Sequence, residues 1–395
     1  MAGAWLAFLL ALVAVARGKL PSVQELLSSD GLCDRVPVKL IKNGGGNDGK
    51  GEADAAVPLL LPLDLDVAVD DWAPLWSHAS KLFGSKTELR LQDEYAPVTY
   101  ALYSLSGRRL HSMRSVLRER KAVVVPSYAH FVWPAFEAGH VTEVELGDDC
   151  VEMHTLSSAP RVFFLPDLLS DEECDSLVAT AEPHLREAML YHPSAQRRQD
   201  THVSRVRNST NTFLRNLGPI DPVQARVLAR LAAITHVPID ETETLSEGIQ
   251  VGHYERGQHY RFHHDYLLRT HGLRTGTAGG RNRFITALIY LSDVDAGGET
   301  LFPLRDGDAE LLSGLNPYNL TCPCEAHERG LRVRPRKGSA VLFYNLAADG
   351  HMAGALDPLT LHAGCTVDKG TKAVANVWIY NKPVQWHLFR EQGSE

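Results

Sequence analysis

Seven short apolar runs, separated by turns containing Gly, Pro and Asp, lie between residues 248 and 380 of the chain. They are residues 248–253, 284–292, 299–302, 331–333, 339–344, 361–365 and 373–380. Runs of this length, with turn residues between them, are typical of the strands in a barrel or jelly roll. We therefore predict an α+β fold with an all-β core in this part of the chain.

Supporting helices are predicted just before this core. Ser170 is a good N-cap, and the acidic residues 171–173 after it favour the first turn of a helix that runs to about His184. A second helix is predicted over Pro222–Thr235, and Val162–Leu165 reads as a short strand. These helices are expected to cover one sheet of the core.

The N-terminus resembles a secretory signal peptide. Residues 1–16 are almost entirely apolar and small, and Ala16 and Gly18 supply the small residues of a cleavage site, which predicts a signal peptide over 1–18. Because this run is shorter than the roughly 18–20 residues that cross a bilayer, membrane association is expected only if the segment stays uncleaved as an anchor. The predicted location is the secretory pathway, in the lumen of the endoplasmic reticulum.

Residues 19–150 are predicted to form a separate N-terminal region of unknown role, with a glycine-rich break at 43–51. Within it, residues 59–69 alternate as in a strand, and residues 112–120 form a basic helix. The net charge of −8 gives no long-range attraction for phosphate backbones, which argues against a nucleic-acid partner.

Six cysteines are present, and an oxidising lumen allows them to pair. Six cysteines permit about 15 pairings, and the sequence selects none of them. Cys322 and Cys324 lie in an apparent insertion at residues 306–330. A zinc or redox site there is the alternative to a disulfide that fastens the loop, but no second ligand pair accompanies them.

A metal site is indicated by His263 and Asp265, since residues i and i+2 of an extended segment project to the same side. Two histidines and one carboxylate on one face, with open positions opposite, form the iron site of many oxygenases. His362, at the start of a late strand, is the best third ligand. The chain has 18 histidines, so a single His-x-Asp triplet alone is weak evidence.

Lys372 strengthens this interpretation. It follows His362 by ten residues and enters the apolar strand 373–378. A lysine that faces a barrel interior is expensive to bury unless an anion pairs with it, and a dicarboxylate cosubstrate would supply that anion.

Four ordered motifs within residues 160–383 together resemble the catalytic domain of prolyl 4-hydroxylase α subunits. They are Tyr254-x-x-Gly257-Gln258-x-Tyr260-x-x-His263-x-Asp265, Gly297-Gly298-Glu299-Thr300-Leu301-Phe302-Pro303, Val333-x-Pro335-x-x-Gly338-x-Ala340-x-x-Phe343-x-Asn345, and His362-x-x-Cys365 followed by Lys372. The phrases at 331–333 and 345–350 are most similar to the transmembrane prolyl 4-hydroxylases of the endoplasmic reticulum, although that group's membrane span and EF-hand loops are not evident.

The resemblance implies a double-stranded β-helix (jelly roll) and a set of site residues. Iron would be held by His263, Asp265 and His362, and the distal carboxylate of 2-oxoglutarate by Lys372. Tyr254 and Thr286 match positions that help to hold that carboxylate, and Trp378 matches an aromatic residue near the iron. For these three, ordinary strand packing is the alternative. The implied cofactors are Fe(II), 2-oxoglutarate, O2 and L-ascorbate.

The segment 205–214 resembles the mobile loop that covers a peptide substrate in this family, and Arg207 and Tyr260 are candidate substrate contacts. Asn208 and Asn319 both begin glycosylation sequons. Because a glycan on a substrate loop would obstruct its closure, we expect Asn319 to be the modified residue.

The resemblance implies hydroxylation of peptidyl proline to 4-hydroxyproline in a proline-rich peptide or protein, coupled to the conversion of 2-oxoglutarate to succinate and CO2. Two alternatives stay open: another 2-oxoglutarate oxygenase, such as a lysyl or prolyl 3-hydroxylase, or a catalytically silent peptide-binding module. A disulfide isomerase partner is compatible with the family but is not indicated by the residues.

Overall fold

The computed structural model describes residues 35–43, 59–62, 75–77, 79, 99–127, 129–147, 149–188, 207–239, 245–267, 269–270, 273–274, 281–305, 324, 330–346 and 356–382. The predicted signal segment 1–18, nearly all of the glycine-rich break, Asn319, Cys33 and Cys322 lie outside these ranges. None of the helices formed by the described residues is long and apolar enough to cross a membrane.

The chain divides into two compact units, residues 1–42 with 52–127, and residues 43–51 with 128–395. This division falls before the boundary predicted between 150 and 160. The reason lies in residues 141–158, which form two strands that extend the large sheet of the second unit. Their acidic, alternating pattern does not reveal by itself which sheet they join.

The described residues of the first unit form a four-stranded sheet and the helix α1 (Met113–Glu119), with further helical residues at 75–77 and 79. Its elements are β1 (Arg35–Lys42), β2 (Leu59–Pro62), β3 (Tyr100–Tyr103), α1 (Met113–Glu119) and β4 (Lys121–Pro126), with the strands in the order β2-β1-β4-β3. The Ser112 hydroxyl accepts a hydrogen bond from the backbone N–H of Ser115 and so caps α1. Val38, Leu40, Met113 and Val116 belong to its buried core.

The second unit is built on a nine-stranded sheet in the order β5-β6-β7-β18-β14-β21-β10-β9-β8 and a four-stranded sheet in the order β11-β19-β16-β17. The strands are β5 (Val141–Leu146), β6 (Asp149–Ser158), β7 (Arg161–Leu165), β8 (Arg186–Glu187), β9 (Thr210–Phe213), β10 (Ser246–Tyr254), β11 (Tyr260–His263), β12 (Arg269–Thr270), β13 (Leu273–Arg274), β14 (Arg283–Tyr290), β15 (Ala296–Gly297), β16 (Thr300–Phe302), β17 (Leu331–Val333), β18 (Ala340–Tyr344), β19 (His362–Gly364), β20 (Val367–Lys369) and β21 (Lys372–Tyr380).

The two sheets enclose one core, because a single cluster of buried side chains draws residues from both. Leu288, Tyr290 and Phe343 come from the large sheet, and Phe302 and Val333 come from the small one. All strand pairs in these two sheets are antiparallel. This arrangement is the predicted jelly roll, in which alternate residues of each strand face the interior.

Two helices, α2 (Asp171–Ala181) and α3 (Pro222–Thr235), support the large sheet. Ser170 caps α2 through a reciprocal pair of hydrogen bonds with Glu173, as the sequence predicts. Asp221 caps α3, and Pro222 occupies its first turn, where the missing N–H costs nothing. The helix predicted to reach His184 ends at Ala181, since Pro183 follows in a 3-10 turn over Glu182–His184.

Candidate metal centre

Strand pairing brings the three predicted metal ligands together. In the small sheet, His263 at the end of β11 lies directly opposite His362 at the start of β19. Asp265 follows His263 by two residues and projects to the same side, as expected for extended backbone. One nitrogen or oxygen of each side chain lies within 4.8 Å of the others. Asp265 and His362 thus share one centre, although 96 residues lie between them in the sequence.

The Asp265 carboxylate lies between the two imidazoles. Its Oδ1 is 3.6 Å from His263 Nε2, and its Oδ2 is 3.8 Å from His362 Nε2. All three side chains are almost fully buried, with exposed fractions of 16%, 7% and 7% for His263, Asp265 and His362. Two imidazoles and one carboxylate are a donor set that suits Fe(II) with open positions for other ligands.

Backbone carbonyls fix which imidazole nitrogen faces the centre. The Nδ1 atom of His263 is 2.7 Å from the carbonyl oxygen of Arg261, and that of His362 is 2.9 Å from the carbonyl of Thr360. A carbonyl only accepts, so both Nδ1 atoms carry hydrogen and both Nε2 atoms present lone pairs. This is the orientation that metal-binding histidines adopt.

The ionisation states suit a metal as well. Burial, together with the neighbouring His263, lowers the pKa of His362 to about 3, so its imidazole is neutral at physiological pH. Burial opposes ionisation of Asp265, but the two imidazoles and the Arg283 guanidinium outweigh it and hold the pKa of this carboxyl well below its usual range. The centre therefore offers an ionised carboxylate at Asp265 and a neutral imidazole at His362.

The sequence predicts Thr286 beside the carboxylate that Lys372 would hold. In the structure Thr286 lies at the metal centre instead. Its Oγ1 donates a 2.9 Å hydrogen bond to Asp265 Oδ2. Thr286 on β14 pairs with Trp378 on the neighbouring strand β21. Trp378 is six residues from Lys372 along β21, so the backbones of these two residues are about 20 Å apart. Thr286 cannot contact the same carboxylate as Lys372, and the structure makes it a support for Asp265.

Lys372 is buried at the other end of the site, with 3% of its surface exposed. Its Nζ donates a 2.6 Å hydrogen bond to the carbonyl of Gly298, and no ion pair to it forms among the described residues. Burial lowers the pKa of Lys372 to about 8, with Glu299 opposing the shift. A buried cation held by one neutral carbonyl suits an anionic ligand.

Gly364 lies between the metal centre and the Lys372 ammonium. A Cβ atom on Gly364 would lie 3.9 Å from Lys372 Nζ, so the ammonium faces the space that this glycine leaves open. Gly364 and His362 are two residues apart on β19 and project to the same side, about 7 Å from each other. That separation matches a five-carbon dicarboxylate with one end at the metal and the other at Lys372.

Two aromatic residues and a hydroxyl border the ammonium. The rings of Tyr254 and Tyr290 are each 5.6 Å from Lys372 Nζ, and Tyr254 pairs directly with Lys372 across β10 and β21. The Tyr290 hydroxyl donates a 2.7 Å hydrogen bond to Thr300 Oγ1. Tyr254 therefore lies directly beside Lys372. Tyr290 and Thr300 were missed, although Thr300 belongs to the Gly297–Pro303 motif.

Trp378 packs near the metal centre within a buried charge network that sequence reasoning missed. The Arg283 guanidinium carbon lies 3.9 Å from the centre of the Trp378 ring. Arg283 also pairs with Glu247, with Nη2 to Oε2 at 2.9 Å, and donates to the backbone carbonyl of Asp265 at 3.2 Å. The hydroxyl of Tyr380 donates to the same Glu247 at 2.9 Å.

Arg207 and Tyr260 lie together beside the metal centre. The Arg207 guanidinium carbon is 4.8 Å from the Tyr260 ring centre, and this ring stacks on His263 at 3.6 Å. The predicted mobile loop 205–214 differs from expectation, because Thr210–Phe213 forms β9, which pairs with β8 and β10 inside the large sheet. The neighbouring Asn208 accepts a hydrogen bond from the His259 N–H at 2.8 Å.

Two further features border the ligands. His264 turns away from the centre, with its Nε2 3.1 Å from the carbonyl of Pro358, as expected from strand alternation. Cys365, three residues after His362, forms a disulfide with Cys324. This pairing is one that the sequence left open, and it fastens the insertion to the ligand-bearing strand. Cys150 and Cys174 are free.

The chain has relatives among known proteins. The sequence model of the 2OG-Fe(II) oxygenase superfamily matches residues 249–380. The probable prolyl 4-hydroxylase 3 of Arabidopsis thaliana is 37% identical over 234 residues, which cover 59% of this chain and 73% of the relative. Prolyl 4-hydroxylase 1 of the same plant is 32% identical over 295 residues, or 74% of this chain and 88% of the relative. The chain belongs to the prolyl 4-hydroxylase family.

The prolyl 4-hydroxylase family assignment identifies the chain as an iron(II)- and 2-oxoglutarate-dependent dioxygenase. Among solved structures, the viral collagen prolyl hydroxylase of Paramecium Bursaria Chlorella virus-1 is similar at a TM-score of 0.35 and 22% identity, covering 55% of this chain and 95% of the viral one. Because this score is low, the sequence relatives carry the assignment. The matched residues 249–380 include the three clustered side chains, Thr286 and Lys372.

Proposed function

We propose that this enzyme hydroxylates C4 of proline within extended, proline-rich peptides, using His263, Asp265 and His362 as the iron ligands and Lys372 as the cosubstrate anchor. One observation carries the proposal. In a member of the prolyl 4-hydroxylase family, the three-ligand cluster and the buried lysine occupy one side of β19, separated by the length of 2-oxoglutarate. A silent peptide-binding module would have no need of either feature.

The residues of the chain would bind, orient and exclude water. His263 and His362 would hold iron through Nε2, and Asp265 would supply the carboxylate ligand. Lys372 would hold the distal carboxylate of 2-oxoglutarate, with Thr300 and Tyr254 beside it, and Thr300 takes the role that the sequence assigns to Thr286. When bound, iron and 2-oxoglutarate insert one oxygen atom of O2 into a C–H bond and yield succinate and CO2.

Aromatic residues shield the metal from the core side. The Phe302 and Phe343 rings lie 5.5 and 4.9 Å from the His362 ring. They keep water from that side of the imidazole, so a bound metal would be open only toward substrate and oxygen. Trp378 would border this open side, because its strand partner Thr286 contacts Asp265.

Arg207 and Tyr260 are placed to contact the substrate. They form one stacked group with His263, and Arg207 Nη2 is buried with no hydrogen-bond partner in the described part of the chain. A buried guanidinium nitrogen in that state favours a ligand that brings a carbonyl oxygen. Proline-rich peptides suit this role, because their polyproline II backbone leaves carbonyls unpaired and loses little entropy on binding.

We assign the enzyme to the lumen of the endoplasmic reticulum, with ascorbate required to keep the iron reduced. Residues 1–18 would be the signal, residues 160–383 the dioxygenase domain and residues 19–150 a region of unknown role. The Cys324–Cys365 disulfide supports an oxidising compartment. Asn319 would carry a glycan, while the side chain of Asn208 is already engaged by the His259 N–H.

The test is hydroxylation of defined substrates. The purified enzyme is incubated with Fe(II), ascorbate and 2-oxoglutarate and with collagen-like peptides, poly(proline) or free proline. Mass spectrometry locates the added oxygen, NMR assigns the hydroxylated carbon, and succinate release is measured in parallel. We expect C4 hydroxylation of peptidyl proline, and free proline should be a poor substrate.

The alternatives predict other outcomes. Oxygen placed on lysine or at C3 of proline would assign the chain to another 2-oxoglutarate oxygenase activity. Peptide binding without succinate release would identify a silent binding module.

A further inference from the structure

Asn345 ends the Phe343-x-Asn345 motif and has no part in the roles described above. It is fully buried, and its backbone position is fixed on both sides. Its N–H donates to the carbonyl of Phe284 at 2.8 Å, and its carbonyl accepts from the Asp357 N–H at 3.0 Å. A buried polar side chain that is held this firmly requires an explanation beyond packing.

The Asn345 side chain is hydrogen-bonded to the residue that supports the metal ligand. Its Nδ2 lies 2.9 Å from Thr286 Oγ1, which in turn lies 2.9 Å from Asp265 Oδ2. An amide NH2 group only donates, so Thr286 accepts from Asn345. The single hydroxyl hydrogen of Thr286 is then left for Asp265. The chain of donors therefore runs from Asn345 through Thr286 to the Asp265 carboxylate.

This orientation of the Asn345 amide has a cost at the other end of the amide group, at Oδ1. Asn345 Oδ1 is buried and has no hydrogen-bond partner among the residues that the structure describes. Turning the amide over would let Oδ1 accept the Thr286 hydrogen, but the Asp265 carboxylate would then face a hydroxyl oxygen with no hydrogen between them. A buried carboxylate without a donor costs more than a buried neutral carbonyl without one, so the observed orientation is favoured.

We propose that Thr286 and Asn345 are positioning residues for iron binding, acting through Asp265. Thr286 ties Oδ2 of the carboxylate, so the Asp265 side chain is held at one rotation about its terminal bond. Asn345 fixes the direction of the Thr286 hydroxyl. Together they hold Asp265 in place before the metal arrives, which removes an ordering cost from binding. This inference rests on the proposed iron site.

The first test separates the hydroxyl of Thr286 from its shape. Thr286→Val keeps the shape and removes the hydroxyl, whereas Thr286→Ser keeps the hydroxyl. Binding of Co(II), a spectroscopic substitute for iron, is titrated by its visible absorption. We expect Thr286→Val to raise the Co(II) dissociation constant about 10-fold, within the 10- to 100-fold range for groups that hold metal ligands. Thr286→Ser should stay close to the unmodified protein.

A matched control measures the general effect of deleting a buried threonine hydroxyl. Thr235 is fully buried in α3, and its hydroxyl donates a 2.7 Å hydrogen bond to the carbonyl of Leu231. Thr235→Val removes a comparable hydrogen bond but touches none of the ligands. Its Co(II) affinity should be unchanged, even if its unfolding temperature falls as much as that of Thr286→Val.

The second test reverses the direction of the relay. Asn345→Asp is nearly isosteric but replaces the donor by a carboxylate, which would accept the Thr286 hydrogen and turn it away from Asp265. We expect a larger loss of Co(II) affinity than with Thr286→Val. Asn43→Asp is the control, because the buried Asn43 side chain donates to the His130 carbonyl and accepts from the Val132 N–H, with no contact to a ligand.

The outcomes decide between separate claims. Unchanged Co(II) affinity in Thr286→Val, or equal weakening by Thr286→Ser and Thr286→Val, would overturn the positioning role. Equal weakening by Thr235→Val would overturn it as well. If Asn345→Asp fails to fold by circular dichroism, the two Thr286 variants decide alone. Failure of the unmodified protein to bind Co(II) would instead remove the iron site on which the inference rests.

Discussion

The two ends of the active site stabilise buried charge in opposite ways. At the metal end, the Asp265 carboxylate receives a hydrogen bond from Thr286 and lies between two imidazoles. At the lysine end, the Gly298 carbonyl is the one hydrogen-bond partner of the Lys372 ammonium among the described residues, and burial lowers the pKa of Lys372 to about 8. The metal end has its charges and donors arranged in advance, whereas the lysine end has a buried cation for which we propose 2-oxoglutarate as the main partner.

Because of this difference, side chains at the two ends should contribute to different properties of the enzyme. Side chains at the metal end should determine whether the ion is held at all, because each supplies a ligand or holds one. Lys372 should determine how much 2-oxoglutarate is needed and should lower the stability of the protein when no anion is bound. The variants below test whether the two ends can be changed independently.

The largest effect is expected from Asp265→Ala. Two remaining imidazoles cannot hold iron in the three-ligand facial arrangement, so succinate release should fall to background while the fold persists. His263→Ala and His362→Ala should behave alike. Succinate release and metal content of the purified variants are the measurements. His264→Ala is the control, since His264 lies between two of the proposed ligands in sequence but faces the Pro358 carbonyl, and this variant should remain active. Near-normal turnover by Asp265→Ala would refute the ligand assignment.

Lys372→Ala should act on the cosubstrate and leave the metal alone. A charge-assisted hydrogen bond contributes about 1.5–3 kcal/mol, which corresponds to an increase of roughly 10- to 100-fold in the 2-oxoglutarate KM. Co(II) affinity without 2-oxoglutarate should stay within about two-fold of the unmodified enzyme, by the independence of the two ends. Lys372→Arg should restore part of the loss. An unchanged 2-oxoglutarate requirement would place the anchor elsewhere.

The pH dependence of cosubstrate binding should report the lysine. With a pKa near 8 before 2-oxoglutarate binds, Lys372 loses its proton as the pH rises through that value. The dissociation constant of 2-oxoglutarate should therefore increase above pH 8, approaching ten-fold per pH unit. Calorimetric titrations at pH 7, 8 and 9 measure it. Lys372→Arg keeps its charge in this range and should show a flat profile; a similar rise in this variant would assign the effect to another group.

The smallest expected effect is a gain in stability. The pKa of Lys372 is near 8 in the folded protein and near 10.5 when unfolded, so the unfolded chain binds more protons between these values, and stability rises with pH across that window. Below pH 8 the buried cation opposes folding. Lys372→Met should raise the free energy of unfolding at pH 7 by about 1–3 kcal/mol without ligands. Denaturant unfolding at pH 7 and 10 measures it, and the gain should shrink at pH 10.

Strands that line the core could be located from sequence because their residues are apolar on most positions. The strand β17 (Leu331–Val333) and the helix α3 (Pro222–Thr235) have the predicted bounds. The bounds of β10, β14, β18 and β21 differ from those of the predicted runs by one or two residues. The edge strands β5 and β8 were missed, and so was β9, which lies next to β8. Their polar residues face solvent on one side, so their periodicity resembles that of a loop.

Within the site, residues with a fixed sequence offset were easier to predict than residues joined by folding. His263 and Asp265 are two positions apart, which fixes their common side. Thr286 was placed beside Lys372, although its pairing with Trp378 puts it near Asp265. Glu247 and Arg283 form a buried pair that no local pattern in the sequence marks. Pairing register decides such contacts, and register is a property of the assembled sheet.

The connection between β16 and β17 shows why the insertion at 306–330 is compatible with the site. Both flanking strands belong to the small sheet, where Thr300 pairs with Val333 and also with Gly364. Loop-closure entropy grows only with the logarithm of loop length, so doubling such a connection costs about 0.6 kcal/mol. The ligand-bearing strand is held by its neighbours whatever the length of that loop. The length and sequence of this segment can therefore change while the arrangement of His263, Asp265 and His362 stays the same.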